Sequence, residues 1–307
     1  MRKAALKTIE SLLDGNEKVV FVGSDLGQGT LAEAKVRHPN RVFMEGISEQ
    51  HLIGFAAGLA LDGFIPFVHT IGTFLTRRAL EQIIVDVAIQ NLPVKLIASG
   101  GGMVYAPLGP THQSIDDFAL MRSIPNMVIA APADPLEMKN VINQILEIPL
   151  PSYVRLGKGG EENITSNLAR LSFGKIRELN HGSKIAILTT GVLLHECLIA
   201  LEILQSQNIN PGVFHIPYLS PIDEESVLNI SSRFEMVVVV EEHLPNGGLF
   251  SAVLEINARN RVNSNTFQLS LPNSYATNYG TQKEHWLKSG LDGASIANFL
   301  ISLNSTK

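Results

Sequence analysis

Glu49 follows Gly46-Ile47-Ser48 and opens a run of small and apolar residues, Leu52-Ile53-Gly54-Phe55-Ala56-Ala57-Gly58-Leu59-Ala60. A carboxylate in the first turn of a helix is stabilised by the helix dipole. The small residues behind it let a second backbone approach closely. An acid so placed can share a proton with a partner group. His112 stands in Gly109-Pro110-Thr111-His112-Gln113, and an imidazole in a Gly-Pro loop after a strand is poorly placed for core duty and well placed to meet a ligand. Arg155 closes the apolar run Tyr153-Val154-Arg155. In open α/β sheets ligands gather at such carboxyl ends of strands. A guanidinium there donates paired, charge-assisted hydrogen bonds that match a phosphate.

Such groups need rigid elements to hold them. Short apolar runs rich in Val, Ile and Phe alternate with segments of helical period, the pattern of βαβ units. The sequence predicts strands over 19–22, 42–44, 65–69, 94–98, 127–131 and 152–155, with helices over 3–13, 49–61, 75–90 and 135–144. Asp134-Pro135 marks a helix start, an N-cap followed by a first-turn proline. The strand runs are apolar throughout, as a parallel sheet covered on both faces requires. Composition turns polar between Gly157 and Ser183, which reads as a surface linker. A second α/β run follows, with strands over 185–189, 212–216, 236–240 and 267–271 and helices over 196–205, 250–257 and 294–303. The expected fold class is α/β: two doubly wound domains with mainly parallel sheets, over 1–157 and 184–307, joined by a linker over 158–183.

The chain has 307 residues, enough for two full cores, and its 45% hydrophobic and 17% charged composition is that of a folded protein rather than a disordered one. A formal charge of -5 with no Lys/Arg cluster argues against a nucleic-acid binder. No apolar stretch approaches the length of a membrane span. Cys197 is the only cysteine, so no intrachain disulfide forms and a reducing, cytoplasmic setting is expected.

The segment Gly46-Ile47-Ser48-Glu49-Gln50-His51 closely resembles the motif of the pyrimidine-binding domain in transketolases and deoxyxylulose phosphate synthases. The resemblance implies a thiamine diphosphate enzyme in which Glu49 hydrogen-bonds N1′ of the aminopyrimidine. It thereby favours the imino tautomer, whose nitrogen removes the thiazolium C2 proton. Phe74, in Thr73-Phe74-Leu75-Thr76-Arg77, matches the aromatic that stacks on the pyrimidine, and Arg77 fits the synthase-type pattern. Gly109 to Gln113 matches the loop whose histidine contacts substrate near the carbonyl, which gives that role to His112. Gly23-Ser24-Asp25-Leu26 resembles the family's loop near the thiazolium, making Asp25 a cofactor-side residue. Arg2 and Arg155 correspond to phosphate-binding arginines. Glu241-Glu242-His243 through Gly247-Gly248 and Tyr279-Gly280-Thr281-Gln282-Lys283-Glu284 resemble the family's C-terminal domain, where structural roles are expected.

A complete enzyme of this family also binds Mg²⁺ and the diphosphate through a Gly-Asp-Gly motif followed downstream by Asn, supplying hard oxygen ligands. No Gly-Asp-Gly occurs here. The expectation is therefore a split enzyme, with no metal ligands on this chain and with an N-terminal, diphosphate-binding subunit completing the site in an α₂β₂ heterotetramer. Three positions depart from ordinary transketolase: Leu108 replaces an acid, Gly29 a serine, and the Ser99-Gly100-Gly101-Gly102 stretch lacks a histidine. The acid reads a substrate hydroxyl, so Leu108 points to a specialised sugar. The expected reaction is transfer of a two-carbon ketol unit from a ketose phosphate to an aldehyde or keto-sugar. The alternatives are an E1 β subunit of a 2-oxo-acid dehydrogenase, a deoxyxylulose-phosphate-synthase-like carboligase, and a non-catalytic scaffold subunit.

Overall fold

The computed structural model describes residues 1–166, 168 and 170–305. The chain divides into two compact units, one of residues 1–101 and 120–173, the other of residues 102–119 and 174–307. Each is an α/β layer structure built on a mostly parallel sheet.

In the first unit the strands are β1 (Val19–Gly23), β2 (Val42–Met44), β3 (Ile65–Ile71), β4 (Lys95–Ser99), β5 (Val128–Ala130) and β6 (Ser152–Leu156). They lie in the order β2-β1-β3-β4-β6-β5, every pair parallel. Every residue of β1, β4 and β6 is buried, which is why these runs show no polar alternation. The helices up to β6 are α1 (Arg2–Gly15), α2 (Ala32–Arg37), α3 (Glu49–Leu61), α4 (Leu80–Gln82), α5 (Asp117–Arg122) and α6 (Pro135–Leu146). Helix α6 begins as the Asp134-Pro135 pair predicts. Asp134 accepts a hydrogen bond from Glu137 N at 2.8 Å, and Glu137 accepts one from Ala133 N at 2.8 Å. Helix α1 packs on β1 and α6, and α3 packs on β3.

The segment expected as one helix over 75–90 is broken. Two π-helical stretches, Phe74–Arg78 and Ile83–Ala88, flank the three-residue α4. The apolar period of this stretch is helical, but period alone does not separate α from π turns. Wider turns of this kind are rare and concentrate at functional sites.

In the second unit β7 (Arg177–Asn180), β8 (Ile185–Thr189), β9 (Gly212–His215), β11 (Met236–Val240) and β12 (Thr266–Leu269) form a sheet in the order β12-β11-β8-β9-β7. All its pairs are parallel except the antiparallel β7. Strand β7 falls in the polar stretch that reads as linker, because its residues are only half-buried and carry no apolar signal. The short strand β10 (Tyr218–Ser220) also escapes a reading by periodicity. The helices are α7 (Leu194–Ser206), α8 (Glu224–Arg233), α9 (Leu249–Arg259), α10 (Gln282–Ser289) and α11 (Gly293–Ser305). No helix among the described residues is long and apolar enough to cross a membrane.

Candidate active site

Glu49 is the first residue of α3 and is 1% exposed. A carboxylate this deep needs partners, since burying it alone is costly. It has two. Thr70 Oγ1, from β3, donates to Glu49 Oε1 at 3.2 Å. Arg78 Nη1 donates to Glu49 Oε2 at 2.5 Å, forming an ion pair whose arginine side chain is 41% exposed. The same guanidinium lies over the Phe74 ring, 4.3 Å from its centroid. One cation therefore bridges the candidate acid and the candidate stacking ring. Both Phe74 and Arg78 belong to the first π-helical stretch.

Arg78, which sequence reading does not single out, is the arginine at Glu49. The signal for it was present: Phe74 and Arg78 are four residues apart, a spacing that brings side chains together on a helical surface. Arg77 is half-buried on the same stretch, and Asp25 is exposed in a single 3₁₀ turn, Asp25–Gly27, directly after β1.

The register of the sheet places Arg155 relative to this group. Thr70, Ala98 and Arg155 are partners across β3, β4 and β6, so their side chains leave the sheet on one face. Arg155 thus shares a face with the threonine that donates to Glu49. It is 8% exposed, and its side chain fills the space beside Gly101, where an added Cβ would lie 2.2 Å from Nε. Glycine is required there by this close approach.

The neighbouring residue His69 faces the other way. Its Nε2 lies 2.9 Å from Ser99 Oγ, while Nδ1 is buried without a hydrogen-bond partner. Burial first, and then the charge of Arg2, push the His69 imidazole down to about 3. It is therefore neutral at physiological pH. Arg2 is half-buried in the first turn of α1, near enough for its charge to act on His69.

His112 belongs to the second unit. It ends the 3₁₀ turn Pro110–His112, is half-exposed, and its Nδ1 lies 2.9 Å from Thr111 Oγ1. Gly109, at φ +85°, makes the sharp entry to that turn against Tyr279. Leu108 is 54% exposed at the end of the preceding turn. The loop is pinned to its unit by Glu242, which is 4% exposed and accepts from Met103 N at 2.9 Å and Trp286 Nε1 at 2.8 Å. Ile115 O accepts from Leu244 N at 2.8 Å, and Phe118 stacks on His243 with centroids 5.5 Å apart. The other sequence features of this unit serve structure. Glu241 accepts from Leu249 N and Phe250 N at the start of α9. Thr281 and Glu284 form a reciprocal capping box at the start of α10. Among the described residues no group of three or more His, Cys, Asp or Glu is placed to hold a metal ion.

The arrangement joins a buried carboxylate, an aromatic face and a flat nitrogen donor held between them, on an open parallel sheet with an arginine on the same face. Comparisons with known proteins identify the family. Residues 1–160 match the transketolase pyrimidine-binding domain and residues 174–289 the transketolase C-terminal domain. The chain belongs to the transketolase family. It carries that family's pyrimidine-binding and C-terminal parts. A Methanocaldococcus jannaschii protein described as a transketolase C-terminal section is 37% identical over 97% of this chain and 94% of its own length. The 1-deoxy-D-xylulose-5-phosphate synthase of Caldanaerobacter subterraneus is 35% identical over 96% of this chain and 47% of its own. The chain thus spans about half the length of the synthases it matches. Among solved structures, a split-gene transketolase described as an inactive β4 tetramer superposes with a TM-score of 0.87 at 31% identity, covering 97% of this chain and 95% of the other. The transketolase of Campylobacter jejuni, at 18% identity and a TM-score of 0.80 over 46% of its chain, shares the fold.

Proposed function

We propose that this chain is one subunit of a split, thiamine-diphosphate-dependent transketolase. It would transfer a two-carbon ketol unit from a ketose phosphate donor to an aldehyde or keto-sugar acceptor. The observation that carries the reading is the placement of Arg78 between Glu49 and Phe74. A planar group with nitrogen donors on its edge already fits between that carboxylate and that ring, so the residues present suit the pyrimidine end of the cofactor. Thiamine diphosphate, when bound, supplies the nucleophilic thiazolium carbon that carries the transferred unit.

The chain's own groups then have distinct tasks. Glu49 shares a proton with the ring nitrogen, held in place by Thr70, in a site dry enough to strengthen that hydrogen bond. Phe74 supports the flat face of the ring. His112 orients the substrate carbonyl, and Arg155, with Arg2, holds its anionic group. Asp25 and Arg77 lie on the cofactor side. Mg²⁺ and the diphosphate are assigned to a separate N-terminal-type subunit in an α₂β₂ assembly in the cytoplasm. Leu108 would offer no acceptor to a substrate hydroxyl at that point, and so favours a substrate that lacks it.

The deciding experiment is calorimetric binding of thiamine diphosphate with Mg²⁺, to this chain alone and to a mixture with its N-terminal-type subunit. Tight binding only by the mixture is expected, followed by ketol transfer from ketose phosphates. Tight binding by this chain alone would refute the split site. A second reading, 1-deoxy-D-xylulose-5-phosphate formation, is favoured by the synthases at 33–36% identity and by Arg77. It is distinguished by which product the assembled enzyme makes.

A further inference from the structure

Arg78 makes two contacts that concern the same ligand surface. Its guanidinium lies over the Phe74 ring at 4.3 Å, and its Nη1 donates to Glu49 at 2.5 Å. Guanidinium is flat, offers N–H donors along its edge and stacks on aromatic faces. These are also the properties by which an aminopyrimidine would be recognised by a phenyl face and a buried carboxylate. The two cannot use Phe74 and Glu49 at once.

We propose that Arg78 is a built-in occupant of the pyrimidine seat, which the cofactor must displace in order to bind; the inference rests on the assignment of Glu49 and Phe74 to the pyrimidine. Three observations make displacement physically reasonable. The arginine side chain is 41% exposed while the glutamate is 1% exposed, so the cation has a route to water and the anion has none. Arg78 sits on a π-helical stretch rather than in a regular helix, the kind of irregularity found at functional positions. Finally, a carboxylate as deep as Glu49 is costly without a partner. The occupant keeps that charge paired before the cofactor arrives; the cofactor's ring nitrogen would then replace it by sharing with Glu49 one proton taken up from water. Only the fraction of molecules with Arg78 swung out is competent to bind, so the apparent affinity is lowered by that fraction.

The test uses the full chain and the cofactor's aminopyrimidine alone, 4-amino-5-hydroxymethyl-2-methylpyrimidine, followed by calorimetry. Arg78→Ala is expected to bind this fragment at least tenfold more tightly than the unmodified chain. Weaker or unchanged binding by a folded Arg78→Ala chain, or no binding by it at all, overturns the proposal. Because that substitution strips Glu49 of its ion pair, a second measurement uses the unmodified chain. The Arg78 guanidinium resonances, shifted by the Phe74 ring current, are expected to move to solvent-like values on adding fragment; persistence of the shift at saturation overturns the proposal. Glu49→Gln and Phe74→Ala separate the two levels. If both leave fragment binding unchanged, the assignment of the pyrimidine site itself fails. If both abolish it while Arg78→Ala does not strengthen it, only the displacement fails.

Discussion

The carboxylate of Glu242 lies where a Cβ on Gly102 would be, 2.2 Å from its Cδ. Gly102 has φ +65°, a conformation that disfavours any side chain, and the glycine lets the carboxylate reach Met103 N and Trp286 Nε1. Glu242 therefore fastens the start of the His112 loop to the second unit. Glu242→Ala leaves a buried backbone N–H and an indole N–H unsatisfied, at about 1–3 kcal/mol each. Hydrogen exchange is expected to rise across 103–118 in this variant and far less in Glu242→Gln. Equal exchange in wild type and Glu242→Ala would show that the anchor is dispensable.

Glu49→Gln is expected to lower turnover of the assembled enzyme by about 10²–10⁴-fold, the usual contribution of a positioned proton-sharing group. The fold should persist, because the amide still accepts from Thr70. Near-normal turnover would remove Glu49 from the mechanism.

Arg155 shares its space with Gly101. Gly101→Ala places a Cβ 2.2 Å from Nε and 2.3 Å from Cγ of Arg155, so the arginine must move, at a packing cost of about 1–3 kcal/mol. With phosphorylated donors KM should rise several-fold more than with unphosphorylated ones. Equal effects on both would mean that Arg155 holds no anionic group.

His69 makes stability depend on pH. Its imidazole sits at about 3 instead of 6.5 in the folded chain. Between those values the unfolded chain binds a proton that the folded chain refuses. Stability therefore falls as pH drops through the window and is flat above it, with a full span on the order of 4 kcal/mol. Urea unfolding at pH 4 to 8 should show this slope in wild type and a reduced slope in His69→Asn. Identical slopes would mean that another group carries the acid sensitivity.

Lys95 acts in the alkaline range. Its ammonium is fully buried and donates to Ile148 O at 2.6 Å and Leu150 O at 2.8 Å, and burial pulls it down to about 7. The unfolded chain holds this proton to a higher pH, so stability should rise as pH increases from about 7 toward 10. Lys95→Met should flatten that rise, which thermal melts at pH 7 and 9.5 would reveal.

The sequence by itself determined the fold class, the parallel sheets and the start of α6. Continuous apolar runs and the Asp134-Pro135 cap are local signals that burial then satisfies. It also singled out Glu49 and Phe74, whose types and neighbours are legible one segment at a time. Tertiary structure decided that Arg78 meets Glu49: the Phe74–Arg78 spacing is local, but the ion pair joins residues 29 apart in the chain and forms only on folding. It likewise decided that Thr70 supports the acid, since Glu49 and Thr70 stand on different elements, whereas the turning of His69 to the opposite face follows from strand alternation alone. The grouping of residues 102–119 with the second unit rests on hydrogen bonds to Glu242 and Leu244, more than a hundred residues further along the chain. Contacts over such separations leave no trace in local periodicity, because they form only when two distant segments are brought together by folding.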